Sequence, residues 1–101
     1  MGANVNHLYL VRMDIAHDHE VTFNDIYDNE HIKNLAAVKG VRHAARYRNE
    51  SPTYARYMAA YEIDGPAVIA SENWRQAGEA GRWSRGVRPY TMHRALAMSE
   101  R

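Results

Sequence analysis

Residues 23–35 have the sequence FNDIYDNEHIKNL, in which apolar side chains recur at the spacing of an amphipathic helix. Phe23, Ile26 and Tyr27 fall on one stripe, and Glu30 and His31 continue that stripe seven and eight residues after Phe23. The apolar residues that follow define a different face. The pattern therefore predicts a bend or restart of the helix near Glu30 and His31, which places both side chains over a sheet.

The segments around this helix predict four strands. Val, Leu and Tyr enrichment predicts a strand over residues 5–14. A Ser-Pro turn at residues 51–52 separates two strand-like runs, residues 41–50 and 53–64, and this arrangement predicts a hairpin. The alanines of the second run leave a helix as an alternative there. The Tyr, Thr and Met content of residues 90–99 favours a last strand.

Two helices alternate with these strands. The first ends before Gly40, with Asp18 or Thr22 available as its N-cap. The second covers residues 65–81, because a Pro suits the first helical turn and glycines close the segment. An arginine-rich loop then leads into the last strand.

The resulting order, βαββαβ, predicts an α+β, ferredoxin-like fold with both helices on one face of an antiparallel sheet. A chain of 101 residues is expected to form one domain, residues 1–101. The opposite face of the sheet must also be covered. In so small a chain the natural cover is the same face of a second copy, so we expect a homodimer.

Composition narrows the classes of partner. Thirteen basic and 12 acidic residues give a formal net charge of +1, too balanced for a protein that binds nucleic acid mainly by neutralising phosphates. The absence of cysteine excludes disulfides and a thiol nucleophile. No run has the length of a membrane span and no signal peptide is visible, so a cytoplasmic location without membrane partners is expected.

Two further clusters have structural explanations. His17, His19 and Glu20 resemble metal ligands, but acidic residues at a helix start explain that stretch without a metal, and no metal site is expected. Arg85 and Trp83 lie in the arginine-rich loop RWSRGVR, where guanidinium groups could bind a carboxylate and an aromatic ring could stack on a flat ligand. A solvated loop with Trp83 in the core is the alternative.

Two segments carry a resemblance to a known superfamily. HEVTFNDIYDNEHIKNLAAVKGVRHAARY, residues 19–47, resembles the signature of a bacterial Tyr-Asp-x-Glu-His group in the dimeric α/β-barrel superfamily, related to ethyl tert-butyl ether degradation (EthD)-like proteins. YMAAYEIDGPAVIASENW, residues 57–74, is similar to the continuation of that group. The sequence departs from the pattern at Ile26, where Trp is frequent, and at Lys33 and Lys39, where Pro is usual.

The resemblance implies a dimeric α/β barrel with a pocket between sheet and helices, but no single reaction. The wider superfamily includes isomerases and dehalogenases acting on lactones, cofactor-free oxygenases, polyketide cyclases, haem-degrading enzymes and proteins with no known reaction. Because no nucleotide or phosphate motif is present, cofactor-independent acid–base chemistry is expected, such as isomerisation, lactone rearrangement or elimination by an isomerase or lyase. The substrate would be a small aromatic-derived or polyketide-like acid.

The candidate catalytic residues all come from the first helix. His31 would be the base or acid, Glu30 or Asp28 its orienting partner, and Tyr27 a hydrogen-bond donor to a developing oxyanion. The structural alternative makes His31 a satisfied histidine at the edge of the core, with Glu30 extending to water.

The substrate-binding candidates are aromatic, with one cation: Phe23, Tyr61, Trp74, Trp83 and Arg85. Which face of the strands lines the pocket stays open, because both faces of the sheet are expected to be buried. Two other functions remain possible at this stage. One is a cofactor-free or haem-using monooxygenase of the same fold, and the other is a non-catalytic protein that binds a small molecule.

Overall fold

The structure, a computed structural model, describes residues 6–101 and contains one four-stranded antiparallel sheet. The strands are β1 (His7–Ile15), β2 (Val41–Arg48), β3 (Tyr57–Ile63) and β4 (Thr91–Ser99). Their spatial order is β2-β3-β1-β4, and every neighbouring pair is antiparallel. This arrangement confirms the predicted ferredoxin-like fold. It also confirms the hairpin of β2 and β3, so the helical alternative for that segment is wrong.

The first predicted helix contains a π-helical turn. Helix α1 (Glu20–Ile26) continues into the first π turn (Tyr27–His31) and then into α2 (Ile32–Ala36) without a break in the chain direction. A π turn inserts one residue into the helical repeat. The apolar stripe therefore changes register where the sequence predicted a bend.

The predicted N-caps of this helix are wrong. His19 occupies the cap position, and no side chain there accepts a hydrogen bond from the helix. A 3₁₀ turn, His17–His19, leads directly into α1, and the carbonyl of His17 accepts from the N–H of Glu20. A backbone carbonyl of the preceding turn, and not the side chain of Asp18, therefore accepts from the N–H of Glu20. Thr22 lies inside α1, so it is not the N-cap either.

The second predicted helix is divided in two, α3 (Pro66–Ile69) and α4 (Glu72–Glu79). Ser71 separates them, and its side-chain oxygen accepts a hydrogen bond from the N–H of Trp74 at 3.1 Å. Ser71 is therefore the N-cap of α4. The arginine-rich segment that follows is also helical, with a second π turn (Trp83–Val87) and a 3₁₀ turn (Arg88–Tyr90).

The two faces of the sheet differ in their surroundings. Residues on one face, including Met13, Ala59 and Tyr61, pack under the helices and are buried. Directly paired residues share a face, so the register Leu10↔Leu96 places both of these side chains on the opposite face. Within residues 6–101, no helix is long and apolar enough to cross a membrane.

Candidate functional site

A cavity of about 240 Å³ lies between the sheet and the helices. Its wall is largely aromatic, with Tyr9 and Tyr61 from the sheet, Tyr27 and His31 from the first π turn, Trp74 from α4 and Trp83 from the second π turn. Arg75, Glu79, Arg88 and His93 add polar groups. The cavity is slightly smaller than the range of about 300–1,000 Å³ typical of sites for drug-sized ligands, so it suits a small molecule.

His31 is turned into the core by the first π turn, where only 6% of the residue is exposed. Its ring is stacked on the indole of Trp83, with ring centroids 4.0 Å apart and an angle of 12° between the planes. The Nδ1 atom is buried and has no hydrogen-bond partner among the described residues. Burial lowers the pKa of His31 to about 4, so the imidazole is neutral at physiological pH.

Two tyrosine hydroxyls meet beside this histidine. The hydroxyl oxygens of Tyr27 and Tyr61 are 2.7 Å apart, and both side chains are fully buried. Burial raises the pKa of Tyr27 to about 12 and raises that of Tyr61 as well. Both phenols therefore stay protonated at neutral pH. One hydroxyl donates to the other, and the second keeps a hydrogen with which it can donate to a ligand.

Glu30 and Asp28, the predicted partners of His31, do not line the cavity. Glu30 accepts a hydrogen bond from the backbone N–H of Arg82 at 3.1 Å and pairs with the Arg82 guanidinium, and these bonds lower the pKa of Glu30. Asp28 has an exposed side chain and pairs with Arg46 at 2.6 Å. Both carboxylates are engaged by arginines, so the structure brings neither of them to the imidazole of His31.

Some of the predicted substrate-binding residues line the cavity and others do not. Tyr61, Trp74 and Trp83 line the cavity, whereas Phe23 is fully buried in the core and does not reach the cavity wall. Arg85 is exposed and also lies outside the lining, because the second π turn directs it away.

Two arginines line the cavity where Arg85 was expected. Arg75 on α4 is neutralised by ion pairs with Glu72 and Glu79, which raise its pKa. Arg88 forms no ion pair with any carboxylate in residues 6–101. The sequence pattern did not single out Arg75, although this residue follows Trp74 directly on the same short helix. The cavity thus carries one cation that a ligand carboxylate can neutralise.

The histidine-rich start of the first helix was considered as a source of metal ligands. In the described part of the chain, no three His, Asp or Glu side chains come together in a way that could hold a metal ion. Glu20 instead accepts hydrogen bonds from Tyr57 at 2.5 Å and from Arg56 at 2.6 Å.

The backbone arrangement is similar to several solved structures. No protein-family model and no curated protein sequence matches the chain. An ethyl tert-butyl ether degradation (EthD) family protein from Bacillus halodurans aligns with a TM-score of 0.64 and 13% identity, over 89% of this chain and 96% of its own. MhuD, in a variant with two manganese protoporphyrin IX molecules per active site, aligns with a TM-score of 0.70 and 7% identity, over 92% of both chains.

A third structure is SnoaB from Streptomyces nogalater, described as a cofactor-independent oxygenase. It aligns with a TM-score of 0.65 and 12% identity, over 95% of this chain and 94% of its own. The chain shares the ferredoxin-like fold that two further matches are described as having. The solved structures with this fold thus include a protein described as an oxygenase, but identities this low establish the fold alone and leave the reaction open. One further match, from Bacteroides fragilis, is described as a dimeric protein of unknown function with a ferredoxin-like fold.

The porphyrin complex of MhuD raises the question of whether this pocket suits a porphyrin. A porphyrin is at least a drug-sized ligand, and the pockets of such ligands typically have volumes of about 300–1,000 Å³. The cavity here is about 240 Å³, and Trp83 covers the face of His31, its most buried histidine. The residues of the cavity therefore do not fit a porphyrin in the shape that the structure shows.

Proposed function

We propose that this protein catalyses cofactor-independent proton transfer on a small, planar organic acid, as an isomerase or lyase would. The observation that carries this proposal is a buried, neutral imidazole with an unpartnered nitrogen, on the wall of a cavity that also contains a pair of tyrosine hydroxyls. Buried polar groups are normally satisfied, and an unsatisfied one frequently marks a site where chemistry or binding occurs.

His31 is the proposed proton acceptor. A neutral imidazole can take a proton, but a pKa of about 4 makes it a weak base in the empty pocket. A negative charge nearby raises the pKa of a histidine. We therefore infer that the substrate carries an anionic group, whose arrival in the cavity raises the pKa of His31 toward the working pH.

Arg88 and Trp83 support an acid with a flat ring as the substrate. Arg88 is a guanidinium on the cavity wall without a carboxylate partner in residues 6–101, and guanidinium groups bind carboxylates with two parallel hydrogen bonds. Trp83, Trp74 and Tyr9 line the same cavity, and aromatic side chains of this kind favour packing against a flat ring.

The tyrosine pair supplies a second functional group, a hydrogen-bond donor. Removal of a proton next to a carbonyl places negative charge on the carbonyl oxygen, and a preorganised donor stabilises that charge. The free hydroxyl hydrogen of the Tyr27–Tyr61 pair is such a donor, and burial of both side chains holds it in place. We therefore propose for Tyr27 the role that the sequence suggested, with Tyr61 as its hydrogen-bond partner.

We also propose that the active form is a homodimer. The sheet face opposite the helices exposes large apolar side chains, among them Met92, Leu96 and Met98. Exposed apolar patches of this kind mark interaction surfaces. A second copy of the same face would cover them, and the described dimeric state of the Bacteroides fragilis protein supports this assignment.

A non-catalytic small-molecule binder is the second candidate function. It is favoured by the positions of Glu30 and Asp28, because neither carboxylate orients His31 as a catalytic histidine is often oriented. A binder needs only the aromatic walls and Arg88. The two functions differ in whether a bound ligand is converted.

A ligand screen with a matched variant separates these functions. Aromatic acids, lactones of muconolactone type and quinones are tested by thermal shift on wild type and on His31→Phe, which keeps a ring against Trp83 but lacks both nitrogens. Products of every hit are analysed by mass spectrometry, and His43→Phe on exposed β2 is the control. The proposal predicts ligands that wild type and His43→Phe convert and His31→Phe only binds. Binding without conversion in all three proteins would contradict the enzyme and leave the binder.

A further inference from the structure

Arg46 lies behind the tyrosine pair in an unusual environment for a charged group. It comes from the helix-facing side of β2, opposite the small residue Ala59, and only 11% of its side chain is exposed. The guanidinium carbon is 4.6 Å from the centroid of the Tyr27 ring. It is also 5.2 Å from the ring centroids of both Phe23 and Tyr57. A cation is thus held among three aromatic rings.

Two polar side chains of the first helix fix this guanidinium in place. Asp28 accepts a hydrogen bond from Nη1 at 2.6 Å, and Asn24 accepts one from Nη2 at 2.8 Å. The first π turn contains both Asp28 and Tyr27, so one short segment holds the cation and presents the ring beneath it. The Nε atom is buried without a hydrogen-bond partner in the described residues.

We propose that Arg46 is a positioning residue whose charge, acting through the ring of Tyr27, stabilises negative charge on the Tyr27–Tyr61 hydroxyl pair and on a ligand oxygen bound to it. The part of this inference that concerns a ligand rests on the proposed function. The part that concerns the tyrosine pair rests on geometry alone. In the hydrogen-bonded chain, polarisation of one hydroxyl strengthens the donation of the next. Asp28 therefore contributes to the site by holding Arg46, and it forms no hydrogen bond or ion pair with His31.

The charged and titratable groups around Tyr27 are few. Arg46 faces it from β2, Tyr61 from β3 and Tyr9 from β1, while His31 contacts its ring from the same π turn. Asp28, also in that turn, carries the negative charge that pairs with Arg46. Among these groups Arg46 is the cation, and its proximity lowers the pKa of Tyr27 and of Tyr61 against the larger effect of burial. Removing the charge should therefore make Tyr27 a weaker acid.

The direct test is a titration of Tyr27 in the ligand-free protein. Fluorotyrosine is incorporated at all seven tyrosines, and the Tyr27 signal is assigned in the ¹⁹F spectrum with Tyr27→Phe. Two uncharged variants are compared, Arg46→Gln, which keeps amide donors for Asn24, and Arg46→Met, which keeps the apolar packing. They disturb the fold differently, so the test does not depend on one of them.

The expected result is a fall in the acid dissociation constant of Tyr27 of about tenfold in both uncharged variants, as expected for a desolvated cation–π contact. Arg46→Lys retains the charge and should retain most of the effect. Arg42→Gln, at an exposed position of the same strand, should match wild type. An unchanged Tyr27 titration in Arg46→Gln and Arg46→Met, or a lysine variant that behaves like them, would overturn the proposal.

A second titration, of a bound ligand, extends the test to the ligand's oxygen atom. Nitrophenols of graded acidity are added, and the absorbance of the bound nitrophenolate reports how readily the bound phenol ionises. Wild type should favour the phenolate about tenfold more than Arg46→Met, and equal ionisation in both would overturn the ligand part of the proposal. If wild type binds no nitrophenol, the proposed function fails for phenolic acids, while the Tyr27 titration still decides the role of Arg46.

Discussion

The folded protein should lose stability as the pH falls from neutral to about 4, because the unfolded chain binds a proton at His31. Burial lowers the pKa of His31 from 6.5 to about 4, so below pH 6.5 the unfolded chain binds a proton that the folded chain does not. The stabilising contribution of His31 is therefore complete above pH 6.5 and is lost as the pH falls through 4. At 1.36 kcal/mol per pH unit, the loss amounts to about 3 kcal/mol, a large fraction of a typical free energy of unfolding of about 5–15 kcal/mol.

Urea unfolding of wild type and His31→Phe, at about pH 7.5 and about pH 4.5 and one protein concentration, measures this contribution. Other titrating groups are common to both proteins, so the difference between their pH-dependent losses isolates His31. Wild type should lose about 2.5 kcal/mol more than His31→Phe over this interval. His43→Phe, which removes an exposed histidine, should lose as much as wild type. Equal losses in wild type and His31→Phe would refute a buried, neutral His31.

Three other substitutions test separate parts of the structure. Tyr61→Phe should lower the free energy of unfolding by about 1–3 kcal/mol, because it leaves the buried hydroxyl of Tyr27 without its partner; a urea midpoint equal to that of wild type would contradict the pair. Gly81→Ala should lower the melting temperature, since φ is +68° and a Cβ would lie 2.7 Å from Oε1 of Glu30, whereas Gly78→Ala, in open space, should not. Leu96→Asp should convert a dimer to monomers in sedimentation velocity, and an unchanged dimer would place the interface elsewhere.

The fold and the change of register in the first helix were predictable because both depend on local patterns. Hydrophobic spacing and turn residues determine the element order, and βαββαβ allows few topologies. The stripe through Phe23 and His31 changes register because the π turn inserts a residue. Spacing alone does not distinguish such a turn from a kink, so the sequence predicted a bend without its cause.

The face of the sheet that lines the cavity was not predictable from alternation. Strand β1 carries apolar side chains on both faces, with Val11 and Met13 under the helices and Leu8 and Leu10 opposite. A period-2 pattern assigns a face only when one face is polar. The structure assigns it through the residues that the helices cover.

The positions of Glu30 and Arg85 were not predictable from the sequence, because contacts between distant segments determine them. Glu30 was assigned to His31 because the two are adjacent, but its partner is Arg82, 52 residues later in the chain. The arginine-rich segment has no regular spacing, and in the structure its Arg88 lines the cavity while Arg85 does not. Contacts between distant segments leave no periodic signal in a single sequence.

Hydrogen–deuterium exchange on bound acids tests the central claim most directly, because it detects proton transfer even when no net product forms. Acids that raise the melting temperature are incubated in D₂O with wild type, His31→Phe or His43→Phe, and deuterium incorporation at carbon is followed by mass spectrometry. The account predicts incorporation that depends on wild type or His43→Phe and is lost in His31→Phe, although that variant still binds the acid. Incorporation at the uncatalysed rate with all three proteins, or at the same enhanced rate with His31→Phe, would contradict His31 as the proton acceptor.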